Sequence, residues 1–141
     1  MKRFVPLAAL VLAGGACGRL DYDTWGAPLS QAGHLIVLFH GYGASADDLK
    51  GLSIDLKAYG APDDACHIRV EGPMSAGAGR AWYQSPEEVP VVRAKIHELL
   101  ARLLEKSHLA PDKLYVGGFS QGGTVAVDAA LTWPHALAGV L

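Results

Sequence analysis

The feature that most constrains this chain is an alternation of short, continuously apolar runs with longer segments of helical period. His34–Phe39 (H-L-I-V-L-F) has no polar alternate, the pattern of a strand buried on both faces. Residues 67–70, 114–118 and 137–141 repeat that pattern more briefly, and 20–26 alternates weakly, as an edge strand does. Between these runs the period changes. Ser45 with Asp48 three residues on reads as a capping box opening a helix to about Tyr59, closed by Gly60 and Pro62. Val92, Ile96, Leu99, Leu100, Leu103 and Leu104 line one face of a long helix ending near His108, whose regular part begins near Pro90. A third helix covers 122–133 and stops at Pro134. Strands alternating with helices predict an α/β fold: a mostly parallel sheet, right-handed crossovers and helices on both faces. The segment 74–84, rich in Gly and Ala, reads as a loop carrying Arg80, Trp82 and Tyr83.

The 141 residues, half of them apolar, suffice for one packed domain and not for two. A net charge of -2 without long runs of like charge argues against a nucleic-acid partner. The two cysteines, Cys17 and Cys66, make no disulfide framework, and Cys66 reads as a small buried residue. The six histidines are scattered, without zinc-site spacing and without H-E-x-x-H.

Residues 1–17 read separately. Met1-Lys2-Arg3 is a basic start, followed by an apolar Ala/Leu run too short to span a bilayer and then by small residues, the form of an export signal. Cys17 directly after small residues also has the form of a lipid-anchor site, although Gly14 stands where that motif carries Leu. The expectation is a signal over 1–17, a periplasmic or lipid-anchored location and a domain over 18–141. A cytoplasmic location follows instead if the start is over-extended.

Gly118-Phe119-Ser120-Gln121-Gly122 is a G-x-S-x-G motif placed between a β-run and a helix. That is the setting of a nucleophile elbow, where a sharp turn lifts the serine hydroxyl above the sheet and only glycine fits two residues to either side. Ser120 is the candidate nucleophile. The Gln121 N–H, at the positive end of the helix, is one candidate donor to an oxyanion. The other is Tyr42 N–H, in the glycine-flanked turn His40-Gly41-Tyr42-Gly43 after a buried strand. His40 precedes the serine in chain order, so it reads as a histidine that braces this loop rather than a catalytic base.

Four blocks in order carry a resemblance: L-F-H-G-Y-G-A-S-A-D-D-L (38–49), E-G-P-M (71–74), R-A-W-Y (80–83) and G-G-F-S-Q-G-G (117–123). From about residue 34 onward the chain resembles the phospholipase/carboxylesterase family of α/β-hydrolases, which includes acyl-protein thioesterases. The resemblance implies cofactor-free cleavage of small-molecule carboxylic esters or acyl thioesters. It implies Ser120 as nucleophile, Tyr42 and Gln121 N–H groups as the oxyanion hole, and Trp82 along the substrate cleft, with core packing the alternative for Trp82.

A serine needs a base, and in this fold an Asp or Glu and then a His follow it in the chain. Downstream of Ser120 stand Asp128, pointing away along the helix, and His135, on the order of 20 Å off at the helix's far end. Both are expected at the surface. The chain therefore reads as the N-terminal part of such a hydrolase, lacking its general base and inactive as it stands. The competing reading is a non-catalytic α/β-hydrolase-like module used for binding or assembly.

Overall fold

The computed structural model describes residues 18–141. The export signal expected over 1–17 and the lipid anchor expected at Cys17 lie outside the described residues. Seven strands and three α-helices follow in the order β1 (Tyr22–Gly26), β2 (His34–Phe39), α1 (Lys50–Ala58), β3 (Ala65–Val70), β4 (Met74–Ala76), β5 (Gly79–Ala81), α2 (Val89–Ser107), β6 (Leu114–Gly118), α3 (Gln121–Thr132) and β7 (Gly139–Val140). The main sheet runs β1-β3-β2-β6-β7, with β1 antiparallel to β3 and the other neighbours parallel.

The apolar runs become the inner strands because both of their faces are covered. Leu35, Val37 and Phe39 pack with Val92, Ile96, Leu99 and Leu100 of α2 and with Val125 and Ala126 of α3. On the other face, Ile36 and Leu38 pack with Leu49, Leu52 and Leu56 around α1. Each such aliphatic side chain taken from water contributes about 1.5–3 kcal/mol, so these strands hold their places by burial from both sides. Strand β1 is held differently. Asp23 stands directly opposite Arg69 in the register, and the guanidinium donates to both carboxylate oxygens at 2.7 and 3.0 Å.

Two capping boxes form, and each opens a short 3-10 turn before its α-helix: the expected one, Ser45 with Asp48, before α1, and a second, Ser85 with Glu88, before α2. Pro90 sits in the first turn of α2, where a missing N–H costs nothing. The segment expected as a loop is in part a small hairpin of β4 and β5, turning at Gly77 with φ +59°. Its six strand residues lack β-branched alternation, which is why the pattern does not announce it. Strand β7 is two residues long rather than the five expected.

The register decides where chemistry can sit. Phe39 pairs with Val70 on one side and with Gly118 on the other. Strands β3, β2 and β6 therefore end level, and the chain leaving each of them emerges at one edge of the sheet.

Candidate functional site

That edge collects three of the four blocks picked out in the sequence, and the fourth reaches it through the hairpin. Ser120 lies between β6 and α3 with φ 53° and ψ −119°, one of two non-glycine residues with positive φ among the described residues. Such a backbone costs on the order of 1–3 kcal/mol and persists only where its surroundings enforce it. The enforcement is visible in the glycines. A Cβ on Gly118 would meet Gly122 O at 2.5 Å and Phe39 O at 2.7 Å, and one on Gly122 would meet His40 O at 2.5 Å and Phe39 O closer still. The elbow is pressed against the end of β2, and Phe119 N–H donates to Phe39 O at 3.2 Å.

The Ser120 side chain is exposed and does not cap α3. The amide of Gln121 is the first of the helix and has no intrahelical acceptor, whereas Gly122 N–H is already taken by Phe119 O at 2.9 Å. The turn after β2 comes directly alongside. A Cβ built on Gly41 would lie 3.5 Å from Ser120 Cβ, in ordinary contact, so this turn stands directly beside the serine. Ala44 N–H closes a β-turn on Gly41 O at 3.2 Å, with Tyr42 and Gly43 at its centre and Gly43 at φ +77°. Tyr42 itself is 59 % exposed. The structure thus brings Ser120, Gln121 and the Tyr42 turn together.

His40 is buried and braces this turn, as its place before the serine suggests. Its Nε2 accepts from Gly72 N–H at 2.9 Å, which leaves the proton on Nδ1, 2.7 Å from Gly41 O. Glu71 Oε1 stands 3.2 Å from the same Nε2 and has no hydrogen-bond partner among the described residues.

For Trp82 the sequence left two places open, a cleft wall and the core, and the structure puts it in the core. It is 0 % exposed, and its indole N–H donates to His40 O at 2.8 Å while its ring meets Phe39 edge-on at 5.1 Å. A residue without accessible surface lines no cleft. It packs in the core and holds the end of β2.

Two supporting side chains were not singled out from sequence. The Gln121 carboxamide accepts from Trp82 N–H at 3.0 Å through Oε1 and donates from Nε2 to Tyr83 O at 2.8 Å. Arg80 donates to Gly72 O at 2.9 Å and to Pro73 O at 3.1 Å, while its own backbone exchanges two hydrogen bonds of 2.8 Å with Gly43 and Ala44. For Arg80 the signal available was a polar residue with several donors inside a stretch otherwise made of Gly and Ala.

Downstream of the serine, Asp128 is committed elsewhere. It receives two hydrogen bonds from Arg93 at 2.6 and 2.8 Å, which raise the guanidinium's pKa above its ordinary value, and it is half-buried rather than at the surface as expected. His135 is exposed beside Trp133. No histidine or carboxylate among the described residues hydrogen-bonds Ser120. None of the His, Cys, Asp and Glu side chains among them form a group able to hold a metal ion.

The model of the phospholipase/carboxylesterase family matches residues 26–141. The chain is 30 % identical over 142 residues to NocK of Nocardia uniformis subsp. tsuyamanensis, a protein named for an inferred esterase activity. That match covers 93 % of this chain and 38 % of NocK. Among solved structures, esterase PE8 superposes with a TM-score of 0.76 at 25 % identity, over 87 % of this chain and 62 % of that one. A carboxylesterase from Mesorhizobium loti gives a TM-score of 0.69 at 16 % identity over 82 % of this chain and 56 % of that one, a likeness of fold alone. The chain thus spans less than two thirds of the length of these relatives.

Proposed function

The chain belongs to the phospholipase/carboxylesterase family of α/β-hydrolases, and from that premise we propose that Ser120 is the nucleophile of a serine hydrolase acting on carboxylic esters or acyl thioesters. The observation that carries this reading is the strained Ser120 backbone, forced by glycine contacts with the end of β2 and set beside Gly41. Ser120 Oγ attacks the acyl carbonyl carbon, and the carbonyl oxygen takes up the negative charge. The Tyr42 and Gln121 N–H groups donate to that oxygen from fixed positions, which is worth about 2.7–4 kcal/mol per donor in comparable sites. The alcohol or thiol leaves, and water then releases the acyl group from Ser120.

The proton of Ser120 needs an acceptor. We place that base, and the acid orienting it, outside the described residues, since Asp128 is paired with Arg93 and His135 lies exposed beyond the far end of α3. The described chain alone should therefore turn over poorly. A fluorophosphonate probe should label Ser120 slowly, with the site located by mass spectrometry, and added imidazole should accelerate it. Absence of labelling above Ser120→Ala would sink the nucleophile reading, and rapid labelling without imidazole would overturn the missing base. The unengaged serine also favours a second reading, a non-catalytic module for binding or assembly, which imidazole-dependent labelling would exclude. Export through residues 1–17, with lipidation at Cys17, is proposed on their sequence. Radiolabelled palmitate incorporated into wild type and not into Cys17→Ser would support it.

A further inference from the structure

Resting on the Ser120 reading above, we propose that the Gln121 carboxamide is a positioning residue that ties the two halves of the oxyanion hole into one unit. Gln121 belongs to both halves. Its backbone N–H is one donor, and its side chain turns away to grip the segment that supports the other.

The grip is bidentate. Oε1 accepts from Trp82 N–H at 3.0 Å and Nε2 donates to Tyr83 O at 2.8 Å. A planar amide making two opposed bonds fixes orientation as well as distance, which a single hydroxyl does not. From there the path continues through Trp82, whose buried indole N–H donates to His40 O at 2.8 Å. His40 O belongs to the peptide unit immediately before the one that carries Tyr42 N–H. The Gln121 side chain therefore acts on Tyr42 N–H through Trp82 and His40, and Phe39 locks the indole from the side at 5.1 Å. Gly122, next in the chain, is packed against Phe39 O and His40 O, so β2 is held from two directions at once. Filling space does not require this chemistry, because Leu or Met at 121 would pack against the same segment without gripping it. A donor misplaced by about 1 Å can lose on the order of 100-fold in rate, which is the scale such a clasp guards.

The test uses the full chain and two substitutions that both keep the backbone N–H of residue 121. Gln121→Leu removes both side-chain bonds. Gln121→Glu keeps the shape, accepts from Trp82 N–H, and as a carboxylate repels Tyr83 O. Once protonated it regains a donor. Two quantities are read: hydrogen exchange of the Trp82 indole N–H, and the rate of Ser120 labelling by a fluorophosphonate in the presence of imidazole, each relative to wild type at the same pH. His40, Glu71, Arg80 and Tyr83, the charged and titratable groups around the clasp, are common to all the proteins, so the ratio cancels their contribution.

Gln121→Leu should slow labelling by about 10- to 100-fold and speed indole exchange. Gln121→Glu should behave the same way at pH 8 and recover toward wild type as pH falls toward the ordinary glutamic acid range of about 4.3. Labelling of Gln121→Leu at the wild-type rate, or a Gln121→Glu ratio that does not change with pH, would overturn the proposal. If Gln121→Leu does not fold, the pH dependence of the Gln121→Glu ratio decides, because wild type and variant are compared at every pH. If wild type is labelled no faster than Ser120→Ala, it is the nucleophile reading that fails, and indole exchange still reads the clasp alone.

Discussion

Replacing Gly122 by alanine tests whether the elbow is shaped by contact with β2. In an ordinary helix this change stabilises by about 1 kcal/mol, because alanine loses less backbone entropy on folding. Here the new Cβ would stand 2.5 Å from His40 O and closer still to Phe39 O. Relief requires the end of β2 or the start of α3 to move by about an ångström, and overpacking of that kind costs about 1–3 kcal/mol. The same movement strains the bond from Phe119 N–H to Phe39 O, now 3.2 Å, worth about another 1 kcal/mol. The balance is a loss of about 2 kcal/mol, opposite in sign to the helix rule. Gly51, in α1, is the matched control: a Cβ there meets nothing within 4 Å, so Gly51→Ala should gain about 0.5–1 kcal/mol. Urea unfolding of wild type and both variants, with equal slopes, separates the signs. Gly122→Ala unfolding at or above the wild-type midpoint would refute the contact argument.

Three further outcomes follow from buried charge and titration. Asp23→Asn should lower stability by about 2 kcal/mol in the same unfolding assay, because Arg69 is 6 % exposed and loses its charged partner, while the 43 % exposure of the Asp23 side chain moderates the loss. Burial pushes the Cys66 thiol up to about 11, so native protein at pH 8 should resist iodoacetamide and unfolded protein should react at once. The raised folded value also means that the Cys66 contribution is intact below the ordinary thiol range and is lost as pH rises toward about 11. Burial, then the charges of Arg69 and Lys57, lower the pKa of His67 below its ordinary value. The folded state thus binds its proton less readily, and stability is retained above pH about 6.5 and falls as the solution is acidified below it. His67→Phe, keeping a ring beside Trp25 at 5.1 Å in the parent, should flatten that acid limb in thermal melts at pH 5 and 7.

The strands buried on both faces were legible because burial leaves a mark on every position. His34–Phe39 and Leu114–Gly118 read as strands with their observed ends, since no polar residue interrupts either before its glycine turn. The Ser45–Asp48 capping box was legible too, because Ser with Asp three residues on has one obvious local use. What periodicity does not encode is contact between segments distant in sequence. The β4–β5 hairpin is built from Met, Ser, Ala, Gly and Arg, and it exists because Arg80 bridges Ala44 on one side and Gly72 on the other.

The site divides along the same line. The G-x-S-x-G spacing announces a turn too tight for side chains, but the atoms that make it tight, Phe39 O and His40 O, lie about eighty residues earlier in the chain. Spacing alone therefore names Ser120 and leaves its enforcement unseen. Trp82 shows the converse. Its position in the R-A-W-Y block left a wall for substrate and a place in the core both open, and the indole faces His40 O without accessible surface, because an N–H on a large apolar ring is best satisfied by a carbonyl at the end of a buried strand. Gln121 was legible for its backbone only. A motif fixes where an N–H falls at a helix start, but the use of the attached carboxamide depends on Trp82 and Tyr83 being folded back against α3. The residue after the serine is thus constrained twice, once by turn geometry and once by a tertiary clasp. A sequence pattern reports the first and gives no reason for the second, which is why the side chain of Gln121, more than its amide, distinguishes this elbow from a bare glycine-rich turn.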